Sequence, residues 1–110
     1  MSGLKSNAPE LGPETGIDGW RRKIDEIDHK LVELLNERSR CVVEIGRLKQ
    51  VSGDALYQPE REKKVLDGVV SANPGPLPDA AIRRLFERIL DEARSVERVV
   101  MHGGEGKKES

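Results

Sequence analysis

Apolar residues recur at helical spacing along the first half of the chain. From Ile17 onward they follow one another in steps of three and four, as one face of an α-helix requires. The pattern predicts one long helix from Ile17 to Val51, with Arg38 interrupting its apolar seam. At 1.5 Å per residue this helix is about 50 Å long, roughly twice the diameter of a compact domain of this size, so it needs a partner to bury it. The seam residues are Ile17, Trp20, Ile24, Ile27, Leu31, Leu34, Cys41, Ile45 and Leu48.

Two shorter helices are predicted downstream. Ser52, Gly53 and Asp54 favour a turn, and Pro59 suits the first turn of a second helix, where its missing N–H costs nothing. This helix ends before the Asn73–Pro76 cluster, and a third helix begins near Pro78-Asp79 and ends before Gly103-Gly104. Its apolar positions, again at helical spacing, are Ile82, Leu85, Phe86, Ile89, Leu90, Ala93, Val96 and Val100.

The predicted fold is therefore all-α, with a long, a short and a medium helix and no strand signal. A homodimer is the simplest way to cover the long helix, whose apolar face exceeds what its two companions can bury. The helical domain is expected to span residues 17–102. Residues 1–16 and 103–110 are polar or rich in glycine, and they are expected to be disordered.

Composition and charge exclude several classes of function. The 19 basic and 20 acidic residues nearly balance, and only Trp20, Tyr57 and Phe86 are aromatic, so nucleic-acid binding is not expected. Residues 1–16 contain no apolar stretch of the kind found in signal peptides or membrane spans. Cys41 is the single cysteine, which fits a reducing compartment and predicts a cytoplasmic protein. Neither His29 nor His102 has a partner at a metal-binding spacing, so no metal is predicted.

Several charged residues border the apolar faces. Arg38 needs an anion if it is buried, and Lys49, eleven residues later, lies within about 20° of the same helix face. The alternative is that Arg38 reaches the surface and Lys49 is an ordinary solvated charge. Glu62 is either a pocket residue or a carboxylate favoured by the helix N-terminus, and Glu97 is either a pocket residue or an exposed partner of Arg94 or Arg98. Together these residues suggest a small pocket for an anionic molecule.

Five segments of the chain resemble segments of a known protein family. The series resembles the all-helical class of chorismate mutase from about Ile17 to Val100; its members are Trp20–Asp28, Leu34–Arg38, Glu44–Lys49, Pro59–Glu62 and Arg84–Phe86. The resemblance implies an enzyme that converts chorismate to prephenate by an intramolecular rearrangement without a cofactor. It also implies that one pocket is lined by Arg38, Lys49, Arg61, Glu62 and Glu97. Arg21, which alone looks like a surface charge, would enter this pocket from the other subunit of an intertwined homodimer.

The resemblance also implies roles for these residues. Arg21 of the partner subunit and Arg38 would clamp the two carboxylates of chorismate, because guanidinium groups bind carboxylates through paired hydrogen bonds. Lys49 and a protonated Glu97 would donate hydrogen bonds to the ether oxygen as its bond breaks. Glu62 would accept a hydrogen bond from the substrate hydroxyl. Arg61 would help to orient the ring side of the ligand and to hold the carboxylates nearby.

Three residues depart from one familiar version of the family pattern. Gln58 stands where an aspartate is often found, Ala93 where a serine can occur, and Glu97 where a glutamine can occur. The first two affect detailed substrate contacts only. A glutamate donates to the ether oxygen only when protonated, so activity is expected to fall as rising pH removes the proton of Glu97.

Two other functions compete with the mutase. An isochorismate-pyruvate lyase uses the same scaffold, but Glu62 favours the mutase because the lyases can dispense with this carboxylate. A non-catalytic helical dimer would use Arg38 only to fix the register of the helices, so Arg38→Leu would then stabilise it without loss of function. Many relatives are fused to another enzyme of aromatic amino-acid synthesis, and this chain is expected to act separately or to dock on such an enzyme.

Overall fold

The computed structural model describes residues 16–103, which form three α-helices. Helix α1 spans Gly16–Ser52, α2 spans Pro59–Ser71 and α3 spans Asp79–Met101. The predicted all-α order of long, short and medium helices is confirmed, and residues 16–103 contain no strand. The disorder predicted for residues 1–16 and 103–110 falls outside the described residues, except for Gly16 and Gly103 at their ends.

The helix boundaries follow from local chemistry. Pro59 occupies the first turn of α2, and the carbonyl of Gln58 accepts hydrogen bonds from the amides of Arg61 and Glu62 at 3.0 and 3.1 Å. The connection from α2 to α3 is organised by Asn73. Its amide nitrogen donates to the carbonyl of Leu77 at 2.7 Å and to the Asp79 carboxylate at 2.8 Å. These bonds fix where α3 begins.

The chain divides into two compact units, Met1–Glu37 and Arg38–Ser110. In the first unit, the described residues are the N-terminal part of α1, and the apolar seam predicted there is exposed. Ile17 is 67% exposed, Ile24 53% and Leu31 50%. Side chains of this size are seldom left so open along one continuous helical face without a binding partner.

In the second unit, α2 packs against α3, and the remainder of α1 contacts α3 through Gly46 and Lys49. Val42 of α1 and Leu90 of α3 are its buried apolar residues. A methyl group added to Gly46 would lie 3.1 Å from Cγ1 of Val100, so glycine allows the backbone of α1 to approach α3 closely. None of the helices in residues 16–103 combines the length and the apolar composition that crossing a bilayer requires.

The second unit shows a detail of the packing that the periodic pattern does not contain. The sequence pattern assigns Ile45 and Leu48 to the apolar seam of α1, yet they are 44% and 68% exposed. The face that meets α3 carries Val42, Gly46 and Lys49 instead, one residue further along the helix. The apolar seam therefore does not by itself show which residues of α1 contact α3, whereas Lys49 lies on the pocket side with Arg38, as their spacing predicts.

Candidate active site

The three helices of the second unit enclose a pocket of about 380 Å³, within the size range of small-molecule sites. Its wall combines apolar side chains with both acidic and basic groups. All the predicted site residues of this unit line it. The lining residues are Arg38, Cys41, Val42, Ile45, Lys49, Leu56, Gln58, Arg61, Glu62, Val65, Leu90, Ala93, Arg94 and Glu97.

One wall of the pocket is built on an ion pair between α1 and α3. Lys49 Nζ donates to Glu97 Oε1 at 2.8 Å and to the carbonyl of Leu56 at 3.1 Å. Both side chains are largely buried, with 13% and 12% of their surfaces exposed. Glu97 is thus not the exposed partner of Arg94 or Arg98 that the sequence also allowed, because α3 turns it toward α1.

A second ion pair joins α2 to α3. Arg94 Nη1 donates to Glu62 Oε2, and Arg94 Nη2 donates to Asp91 Oδ1. The guanidinium also lies over the ring of Tyr57, 5.4 Å from its centroid, where cations are attracted to the π-face. The hydrogen bond to Glu62, opposed by partial burial, raises the pKa of Arg94 above its ordinary value. Arg94 therefore stays charged at any physiological pH.

Sequence reasoning did not identify Arg94 as a pocket residue and considered it only as a surface partner of Glu97. The available signal is its position four residues after Leu90 and one residue after Ala93. On a helix these spacings place Arg94 at the edge of the face that carries the buried residues. The pattern alone does not show that the opposite helix presents Glu62 to it.

Two further cations line the pocket without a carboxylate partner among residues 16–103. Arg38 is half-buried and Arg61 is exposed, and neither makes an ion pair with the described part of the chain. The lining holds four cations, Arg38, Lys49, Arg61 and Arg94, and two carboxylates, so its formal charge is 4 − 2 = +2. Since each carboxylate is already paired with Lys49 or Arg94, the excess positive charge resides on the two remaining guanidinium groups.

The other predicted site residues have more modest surroundings. The side-chain amide of Gln58 donates to the carbonyl of Ala55 at 3.1 Å, which holds the loop before α2. Ala93 contributes only a methyl group to the wall. Arg21 belongs to the first unit, where it is exposed, and is not among the residues that line this pocket. Residues 16–103 hold no group of three or more His, Cys, Asp or Glu side chains suited to a metal ion.

Known proteins resemble this chain in sequence. A family model described as chorismate mutase type II matches residues 20–98. A bifunctional chorismate mutase/prephenate dehydratase of Neisseria gonorrhoeae is 45% identical over 78 residues, which cover 71% of this chain and 21% of the relative. The corresponding enzyme of Pseudomonas aeruginosa is 38% identical over 104 residues, which cover 87% of this chain and 28% of the relative. The chain thus spans about a quarter of the length of these bifunctional relatives.

The fold also has a close counterpart among solved structures. A chorismate mutase from Thermus thermophilus superimposes with a TM-score of 0.73 and 39% sequence identity. The match covers 74% of this chain and 93% of that one. The family model extends over well more than half of the chain, and the helices it spans are those that form the pocket. This chain therefore belongs to the type II chorismate mutase family.

Proposed function

We propose that this protein catalyses the rearrangement of chorismate to prephenate and that the pocket of the second unit is its active site. The observation that carries the proposal is the charge arrangement of the pocket. Its two carboxylates are each held by a cation, while Arg38 and Arg61 remain without a carboxylate partner in residues 16–103. Guanidinium groups that are free of carboxylate partners suit the binding of an anionic substrate such as chorismate.

Substrate binding rests on guanidinium groups. Arg38 clamps one carboxylate of chorismate, and Arg21 of the partner subunit clamps the other, each by charge-assisted hydrogen bonds. Arg61, exposed at the edge of the pocket, orients the ring side of the ligand. Gln58 and Ala93 complete the wall, with Gln58 in place to offer its amide to a polar substrate group. Holding both carboxylates selects the compact conformer in which the reacting carbon atoms are close together.

The reaction breaks an ether C–O bond while a C–C bond forms within the same molecule. The ether oxygen gains negative charge in the transition state, so donors aimed at it lower the barrier. Lys49 is such a donor, held in place by Glu97 and the Leu56 carbonyl. Glu97 Oε2 makes no hydrogen bond with the described residues, and a proton on it supplies the second donor. The chain's own residues suffice for this chemistry, so no cofactor or metal is proposed.

Assembly as a homodimer belongs to the same proposal. The exposed apolar seam of residues 17–34 is the surface that a second copy would cover, and this arrangement would bring Arg21 to the partner's pocket. The fused relatives carry a prephenate dehydratase, so docking on a separate enzyme that consumes prephenate is proposed as well. The cytoplasmic location expected from the single Cys41 stays a prediction.

The decisive experiment is a direct assay with purified protein. Chorismate and isochorismate are supplied separately, and prephenate, pyruvate and salicylate are quantified by chromatography, while light scattering gives the mass in solution. The proposal expects prephenate from chorismate and a mass of two chains. Pyruvate release from isochorismate without prephenate formation would establish the lyase instead. If a folded dimer converts neither substrate, the protein is the non-catalytic helical dimer instead.

A further inference from the structure

Arg94 is the one cation of the pocket whose two terminal nitrogens both donate to carboxylates within residues 16–103. Nη1 donates to Glu62 on α2 and Nη2 to Asp91 on its own helix, three residues earlier. The ring of Tyr57 lies against the guanidinium at 5.4 Å. Three contacts hold this side chain, which is 27% exposed. A guanidinium group held in this way can in turn fix the orientation of a side chain that it contacts.

The group that it holds is a pocket carboxylate. Glu62 lines the pocket, its side chain is 22% exposed, and only its Oε2 is engaged by Arg94. Glu62 Oε1 makes no hydrogen bond with any residue in the described range. A glutamate otherwise samples several rotamers, and an Arg–carboxylate bond restricts them because the planar guanidinium imposes a direction. Arg94 thus fixes one oxygen and leaves the other available as an acceptor.

We infer that Arg94 is a positioning residue of the proposed mutase, acting through Glu62 rather than on the substrate. It orients the Glu62 carboxylate so that Oε1 accepts the hydrogen bond of the substrate hydroxyl. Asp91 and Tyr57, which are not among the residues that line the pocket, contact the same guanidinium group and hold it. This inference rests on the proposed function, since it requires a hydroxyl-bearing substrate at Glu62.

The contrast with the other guanidinium groups of the pocket supports this division of roles. Arg38 and Arg61 have no carboxylate partner among residues 16–103 and therefore keep their donors for a ligand. Arg94 has one hydrogen bond from each terminal nitrogen already in place without a ligand. Turning it toward a substrate carboxylate would break the bond to Glu62 and leave that carboxylate without its partner.

A double-mutant cycle tests the inference. We would measure kcat and KM for the unaltered protein, Arg94→Met, Glu62→Gln and the double variant. Arg94→Met is expected to lower kcat/KM about tenfold to a hundredfold, as for the loss of a hydrogen bond to a charged group, with most of the loss in kcat. In the Glu62→Gln background the same change is expected to cost less than about threefold, because the carboxylate that Arg94 positions is gone.

Two further variants separate positioning from general damage. Arg94→Lys keeps a cation near Glu62 and is expected to recover at least about half of the lost activity on a logarithmic scale. Arg88→Met is the matched control, because Arg88 lies on the same helix and pairs only with exposed Glu92 among residues 16–103, at 2.6 Å. It is expected to leave kcat/KM unchanged. Melting temperatures of all variants show whether any of them has lost its fold.

Each result has a defined meaning. Equal losses from Arg94→Met in both backgrounds would overturn the inference, because Arg94 would then act on the substrate or on the fold and not through Glu62. A lower melting temperature with unchanged kcat would also overturn it. If the unaltered protein converts no chorismate, the proposed function fails first and the inference with it. If the protein is active but the losses of kcat/KM from Arg94→Met and Glu62→Gln are additive, the proposed function holds and only the role inferred for Arg94 is rejected.

Discussion

The two parts of α1 carry the same kind of helical pattern, and seam residues are exposed in both, but the second part also contacts α3. In residues 16–37, Ile24 and Leu31 are 53% and 50% exposed, and Leu34 is 59% exposed. In residues 38–52, Val42 is only 7% exposed and Gly46 admits the backbone of α1 close to α3. One helix thus provides an open apolar face in its first part and a pocket wall in its second.

This difference shows what a hydrophobic pattern does and does not encode. The three-four spacing records that one face of a helix is to be buried, but not by which partner. In the second part, the partner is α3 of the same unit, and the contact leaves room for charged pocket residues. In the first part, the proposed partner is a second copy. The following predictions test whether the two parts depend on these different partners.

The largest effect is expected from a charge placed on the open face. Leu31→Asp would bury a carboxylate in the proposed dimer interface, at a cost of several kcal/mol, so the protein should become monomeric and lose nearly all activity. Sedimentation velocity and the mutase assay measure the two losses together. Lys30→Asp is the control, because it adds the same carboxylate about 100° away around the helix. A Leu31→Asp variant that stays dimeric would show that this face is not the interface.

The second prediction concerns one residue from each part of α1. Arg21→Ala and Arg38→Ala are each expected to lower kcat/KM by about 10²–10³-fold, the usual effect of removing a transition-state hydrogen-bond donor. If Arg21 acts across subunits, a heterodimer of the two variants contains one intact site and one site that lacks both arginines. This heterodimer, purified through two different affinity tags, should regain about half of the unaltered activity.

The control for this complementation uses two residues that line the same pocket. Arg38 and Arg61 both come from the second unit of one chain. In a heterodimer of Arg38→Ala and Arg61→Ala, every site lacks one of them, so activity should stay low. Complementation of this second pair, or failure of the first pair in a folded heterodimer, would contradict the proposed origin of Arg21.

The sequence predicted the helices well because their ends are set locally. Pro59, the Ser52-Gly53-Asp54 turn and the Asn73–Pro76 cluster interrupt helices whatever their surroundings, and the observed boundaries fall beside them. The family resemblance also named, position by position, seven of the residues that line the pocket of the second unit: Arg38, Lys49, Gln58, Arg61, Glu62, Ala93 and Glu97. Their catalytic roles remain predictions.

What the sequence did not predict depends on how helices meet. The packing of Val42 and Gly46 requires the phase of α1 relative to α3, and a periodic pattern defines that phase only to within about one residue. The role of Arg94 depends on α2 bringing Glu62 to it. Both contacts join residues distant in the chain, and neither residue type has a preference for its partner strong enough to reveal the contact in advance.

The third prediction concerns Glu97 of α3, the partner of Lys49 from the second part of α1. Glu97→Gln keeps an oxygen for the bond from Lys49 and adds an amide that donates at every pH. The unaltered protein should lose activity as pH rises, while the variant should show a flat profile. Rates are measured across the acidic, neutral and mildly alkaline range. Glu87→Gln, a change at an exposed residue of the same helix, is the control and should leave the decline of activity with pH unchanged. If the activity of Glu97→Gln declined in the same way, Glu97 would have no part in the pH-dependent step.

The smallest effect is expected where α1 meets α3. In Gly46→Ala the new methyl group would lie 3.1 Å from Val100 Cγ1 and 3.4 Å from Glu97 Cγ, so α3 must shift by a few tenths of an ångström. The gain in helix propensity, about 1 kcal/mol, offsets much of the packing cost, whereas a displaced Glu97 lowers kcat several-fold. Gly68→Ala is the matched control, because its added methyl group would meet no atom of the described chain within 4 Å and only the propensity gain should appear. Thermal unfolding and kcat, measured on both variants, separate the effect on stability from the effect on catalysis. A Gly46→Ala enzyme with unaltered kcat would mean that catalysis tolerates a shift of Glu97.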